Sequence, residues 1–153
     1  MASDWNACGP AIYLIDTSAL FRILPGKLRL LWAEELAAGV IAVCPVVELE
    51  FLYSARSLAG RLEKKRLLRT VFGWVPMGER GYERAEAVQQ MMTEVGQHRS
   101  AGPIDLLMAA TAEQARLTVL CEDRDFETVA SVTRQRVRLV TDIETPPDPP
   151  QKP

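Results

Sequence analysis

A single carboxylate, Asp16, interrupts the apolar stretch AIYLIDTSALFRIL (residues 11–24), and two hydroxyls, Thr17 and Ser18, follow it directly. Other acids recur at comparable places. Glu48 and Glu50 lie in CPVVELEFLYSAR, Asp105 follows Gly102-Pro103, and Glu122, Asp123 and Asp125 follow LTVLC. Each has an ordinary structural use: Asp105 suits the first turn of a helix, and Asp123 or Asp125 suits a helix N-cap. A group of them brought together is a different matter. Two carboxylates ~4 Å apart repel by about 4 kcal/mol at an effective dielectric of 20. Four converging acids therefore need a cation, and an all-oxygen site suits Mg2+ or Mn2+. Such ions activate water and stabilise the oxygens of an in-line phosphoryl displacement.

The elements around these acids alternate. AIYLI (11–15) has the continuous apolar pattern of a buried strand. Thr17 or Ser18 is a candidate cap for a short helix ending before Pro25-Gly26, and KLRLLWAEELAAG (27–39) has helical apolar spacing with Gly39 as its stop. VIAVC (40–44) is a second strand, and Pro45 opens a helix that is expected to continue through RLEKKRLLRT (61–70). VFGWVPM (71–77) reads as a third strand, Glu79 to His98 as a long amphipathic helix, and PIDLLMAATAEQAR (103–116) as another. LTVLC (117–121) is a strand, DFETVASV (125–132) a short helix and RVRLV (136–140) a last strand. Strands alternating with helices predict an α/β fold with a parallel sheet covered on both faces. Ligands of such sheets sit beyond the carboxyl ends of the strands, where Asp16 lies.

The chain of 153 residues is of single-domain size, with 48% hydrophobic and 25% charged residues. Its net charge of −2 neither favours nor disfavours nucleic acid, so only the distribution of charge bears on that question. Cys8, Cys44 and Cys121 are scattered without a CxxC pair, the pattern of reduced core thiols. No apolar run reaches the ~18–20 residues of a membrane span, and the N-terminus lacks a signal core, so the expected location is the cytoplasm. The expected organisation is an N-terminal extension over 1–10, one domain over 11–141 and a disordered tail over 142–153, where TPPDPPQKP holds five of the ten prolines.

LIDTSAL, CPVVELEFLYSAR and PIDLLMAATAEQARLTVLCEDRDFETVA together resemble a PIN domain of the VapC ribonuclease-toxin type, over about residues 11–141. The resemblance implies a three-layer sandwich with a central parallel sheet of about five strands. It further implies an acidic metal site of Asp16, Glu50, Asp105 and Asp123, with Glu48 the nearest alternative to Glu50. Asp125 would support Asp123, and the hydroxyl beside the first Asp matches Thr17 or, less closely, Ser18. Glu122 departs from the pattern by placing a charge beside Asp123. The implied activity is Mg2+- or Mn2+-dependent cleavage of RNA phosphodiesters by metal-activated water. A cognate antitoxin covering the active-site groove and a homodimer are implied as well. No histidine base is needed, and the sole histidine, His98, reads as a solvated side chain.

RSLAGRLEKKRLLR (56–69) carries Arg56, Arg61, Lys64, Lys65, Arg66 and Arg69 against one acid, Glu63. Lys64, Lys65 and Arg66, together with Arg22 and Arg124, are candidates to hold RNA phosphates, and the alternative for the stretch is a solvated helix face. Trp5, Trp32 and Trp74 are expected in the core or an interface. Two other folds with an Asp after the first strand, receiver domains and haloacid-dehalogenase-type phosphatases, need a late lysine. Between Lys65 and Lys152 there is none. A Gly-rich dinucleotide turn is also missing after the first strand. The remaining alternative is a catalytically silent PIN-like fold that binds RNA or protein; loss of a carboxylate would favour it, and all four positions are filled.

Overall fold

The computed structural model describes residues 11–122 and 124–143. The expected N-terminal extension, Asp123 and most of the expected proline-rich tail lie outside the described residues, as do Trp5 and Cys8.

The chain runs β1 (Tyr13–Ile15), α1 (Thr17–Ile23), α2 (Lys27–Leu31), α3 (Ala33–Ala37), β2 (Ile41–Val43), α4 (Pro45–Tyr53) and α5 (Leu58–Val71). It continues through β3 (Gly73–Trp74), α6 (Gly81–Glu94), α7 (Pro103–Gln114), β4 (Thr118–Cys121), α8 (Asp125–Thr133) and β5 (Val137–Leu139). The sheet order is β3-β2-β1-β4-β5, and each described pairing is parallel. Parallel neighbours require crossovers, here helical, and these flank the sheet. This is the predicted α/β architecture. The chain winds outward from β1 through β2 to β3, then returns to the other side of β1 with β4. The order of strands therefore reverses between β1 and β4, and a crevice opens at such a switch point beyond the strand carboxyl ends.

The three inner strands, β1, β2 and β4, are buried throughout, whereas the edge strands β3 and β5 are partly exposed. Tyr13, Leu14 and Ile15 have no exposed surface, nor do Ile41, Ala42 and Val43. Cys44 and Cys121 are buried free thiols, as expected. Burial pushes the Cys44 thiol up against the opposing pull of the Val47 backbone amide, so it stays protonated and offers no thiolate.

Several boundaries differ from expectation. The cap of α1 is Asp16 itself, whose carboxylate accepts from the Ala19 amide, rather than Thr17 or Ser18. The helix expected over 27–39 breaks at Trp32, whose indole N–H donates to the Val140 carbonyl at 2.8 Å and whose ring meets Tyr13 edge-on. The helix expected from Pro45 through 70 breaks after Tyr53, and Ser57 recaps the second part by accepting from the Gly60 amide at 3.0 Å. The third strand shortens to Gly73–Trp74, since α5 runs on to Val71, and α6 stops at Glu94, leaving His98 exposed in a turn.

Candidate active site

At the carboxyl end of β1 the chain turns directly into α1, and Asp16 occupies the junction. Its amide donates to the Leu120 carbonyl of β4 at 2.9 Å, which ties it to the switch point. Its side chain is only 6% exposed. Oδ1 accepts from the Ala19 amide at 2.8 Å and Oδ2 from the Ser18 hydroxyl at 2.9 Å. Burying a carboxylate is costly unless it is hydrogen-bonded, and these donors supply part of what water would.

Thr17, the first residue of α1, donates from its hydroxyl to Glu50 Oε2 at 2.5 Å. Glu50 reaches this position from α4, which Pro45 starts immediately after β2 and which packs on α1. Glu48 lies two residues earlier, about 200° around the helix axis, and so projects from the opposite side of α4. The structure thus joins Glu50, not Glu48, to the Asp16-Thr17 junction. Asp105 is half-buried in the first turn of α7, and its Oδ2 accepts from the Gly102 amide at 2.8 Å. This acid therefore has a structural use, bonding back to the N-cap amide from the third position of the helix. The same helix packs on α4 and β4, next to the elements that carry the other acids.

Beyond β4, Glu122 pairs with Arg22 of α1 at 2.9 Å. Arg124 is exposed and lies 3.6 Å from Glu127, and Asp125 is an exposed residue opening α8, anchored by the buried Phe126. The basic stretch does not present one continuous grip. The Lys64 ammonium sits 4.2 Å from the centre of the Phe51 ring and 5.5 Å from that of Phe21, two rings that themselves pack at 5.2 Å. Arg66 pairs with Glu63 at 3.2 Å, and Lys65 is half-buried on another side of α5. Sequence reasoning missed the Phe21–Phe51–Lys64 brace beside Glu50. The signal available was the pair of aromatics each adjacent to a site residue.

Among the described residues, no three His, Cys, Asp or Glu side chains form a group that could hold a metal by themselves. The donors at the junction are carboxylate and hydroxyl oxygens, which suit a hard cation. Mg2+ commonly keeps several waters and takes only one or two carboxylates together with substrate phosphates, so the chemistry of Asp16 and Glu50 fits such an ion without a closed cage.

The PIN domain family profile matches residues 13–132. Ribonuclease VapC21 of Mycobacterium tuberculosis is 34% identical over 128 residues, covering 84% of this chain and 93% of that protein. Ribonuclease VapC2 of the same species is 33% identical over 132 residues, covering 84% and 92%. Among solved structures, VapBC2 from Rickettsia felis bound to a promoter DNA fragment superposes with a TM-score of 0.70 at 15% identity, covering 84% of this chain and 98% of that one. Identity at that level speaks for the fold, whereas the family match and the curated relatives speak for kinship across most of the sequence. The chain is a PIN-domain protein of the VapC ribonuclease family.

Proposed function

We propose that the protein is the toxin of a toxin–antitoxin pair, an endoribonuclease that cleaves RNA phosphodiesters with Mg2+ or Mn2+. The observation that carries this reading is the junction at the switch point, where Asp16 is buried with both oxygens held and Glu50 is bound to the adjacent Thr17.

Asp16 and Glu50 would hold the cation, with Asp105 and Asp123 completing the acidic set and Asp125 supporting it. A cation held there would supply a deprotonated water as the nucleophile and offset charge on the phosphodiester oxygens. The protein's own share is to orient Asp16 through Ala19 and Ser18 and to tether Glu50 through Thr17. RNA would be gripped by Arg22 and Arg124 beside the acidic junction and by Lys64, Lys65 and Arg66 on α5, the paired ones to the extent that they leave their present partners.

Similarity to VapBC complexes supports a cognate antitoxin as partner. The exposed apolar side chains of Leu49 and Tyr53, flanking Glu50 on α4, agree with a protein partner near the site. A homodimer and action in the cytoplasm belong to the same reading; no described helix is long and apolar enough to cross a membrane.

The test is cleavage of total RNA by purified protein. Activity with Mg2+ or Mn2+, its loss with EDTA and its restoration by added metal are expected. Undiminished cleavage in EDTA would remove the metal mechanism, and no cleavage under any metal would favour the silent module.

A further inference from the structure

Asp16 does more than cap α1. A cap needs one carboxylate oxygen on an amide of the first turn, and the Ala19 amide supplies that contact to Oδ1 at 2.8 Å. Oδ2 has a separate donor, the Ser18 hydroxyl at 2.9 Å. The hydroxyl before it, Thr17, donates instead across to Glu50 on α4. Two consecutive hydroxyls therefore serve two different carboxylates from two different elements.

The geometry points to Ser18 as a positioning residue for metal binding, its hydroxyl fixing the plane of the Asp16 carboxylate. This rests on the metal-dependent ribonuclease reading and assigns a role within it. A carboxylate rotates easily about its last side-chain bond, whose preference is broad and roughly two-fold. A hydrogen bond to Oδ1 narrows that rotation, and one to Oδ2 narrows it further. The choice of a hydroxyl is also chemically apt. A lysine or arginine at Ser18 would hold Asp16 as firmly but would bring a positive charge that competes with a cation for the same oxygens. A neutral donor orients the carboxylate without adding a competing positive charge. Hydrogen-bond partners behind metal ligands commonly change metal affinity or activity by about 10–100-fold when removed.

Mn2+ titration of the metal-free protein, followed by the electron paramagnetic resonance signal of free Mn2+, reads this role without relying on catalysis. Ser18→Ala is expected to weaken Mn2+ binding about tenfold. Ser18→Thr, which keeps the hydroxyl, should stay within about twofold of the parent. The unfolding temperature of the metal-free Ser18→Ala protein should change little, because alanine is the better helix former and offsets the lost hydrogen bond. Cleavage by Ser18→Ala should recover at saturating Mn2+. Equal Mn2+ affinity in Ser18→Ala and parent would overturn the assignment, and so would Ser18→Thr binding as weakly as Ser18→Ala. Should Ser18→Ala not fold, Ser18→Cys, with its similar shape and weak S–H donor, is judged by the same criterion. A parent protein that neither binds Mn2+ nor cleaves RNA would instead overturn the underlying ribonuclease reading, a result distinct from a parent that binds and an alanine variant that binds equally.

Discussion

The Thr17 hydroxyl donates to Glu50 Oε2 at 2.5 Å, linking the first residue of α1 to the middle of α4 across 33 positions of sequence. A hydroxyl bound to an ionised carboxylate makes a strong, short bond, and here it holds the acid of one helix against the strand end that carries Asp16. The bond separates two glutamates that spacing alone left competing.

Replacement of each glutamate by glutamine tests that separation. Glu50→Gln should lower cleavage by about a hundredfold, since it removes a charge from the cation site, while Glu48→Gln should stay within about threefold. Thr17→Val, which keeps the shape of the side chain but loses the donor, should fall between them, at about tenfold. Initial rates at fixed Mg2+ give all three. Equal losses for the two glutamine variants would mean that the Thr17 bond marks a structural contact only.

Asp16→Asn separates folding from chemistry. Asparagine caps a helix about as well as aspartate, and its side-chain oxygen can still accept from the Ala19 amide. Stability should therefore remain within about 1 kcal/mol of the parent. Cleavage should drop by at least about a hundredfold. A variant that folds normally and still cuts RNA would remove Asp16 from the site.

Much of this fold is legible because the strands are unambiguous: AIYLI and VIAVC have no polar alternation, and a parallel sheet buried on both faces allows none. The Gly102-Pro103 start of α7 and the Pro45 start of α4 are local signals that the structure keeps. The helix break at Trp32 was not legible. LRLLWAEELAA keeps helical apolar spacing throughout, and only the commitment of the indole to Val140, 108 positions away, interrupts it. Arg138 was equally opaque. Its guanidinium donates to the Tyr13 hydroxyl at 2.7 Å and lies 4.8 Å from the Trp32 ring centre, a buried arrangement no local pattern announces. Of the site, the positions of Asp16 and Asp105 at element starts were readable from chain order. The Thr17–Glu50 and Ser18–Asp16 bonds depend on side-chain direction, which spacing does not determine.

Trp32 joins the α2–α3 junction to the end of β5, so its loss should be felt in stability rather than catalysis. Trp32→Phe removes the donor to the Val140 carbonyl and shrinks a side chain that is 2% exposed. A buried acceptor left unsatisfied costs about 1–3 kcal/mol, and the smaller ring adds a packing loss. Chemical denaturation should show a destabilisation of about 2–4 kcal/mol with a near-normal rate of cleavage below the transition. A loss under about 0.5 kcal/mol would show that the indole bond does not hold this corner.

The Arg22–Glu122 pair sets the last prediction. Both side chains are partly exposed, at 57% and 36%, so the pair contributes little to stability, about 0.2–1 kcal/mol at most. Its effect on RNA should be larger, because Glu122 occupies a guanidinium that would otherwise be available to a phosphate. In an Asp16→Asn background, where RNA is bound but not cut, Glu122→Gln should tighten binding at low salt. It should also steepen the slope of log K against log salt by about 0.7, the increment for one added phosphate contact on a single strand. Removing the Glu122 charge also lowers general repulsion of RNA, and the double variant Arg22→Gln/Glu122→Gln separates the two effects. If Arg22 is the group released, the double variant returns to the parental slope. If repulsion alone is relieved, the double variant keeps the gain in affinity, and Arg22 has no part in holding RNA. Lys65→Gln should flatten the parental slope by a similar amount, whereas Lys64→Gln should act chiefly on stability, since its ammonium rests on the Phe51 ring.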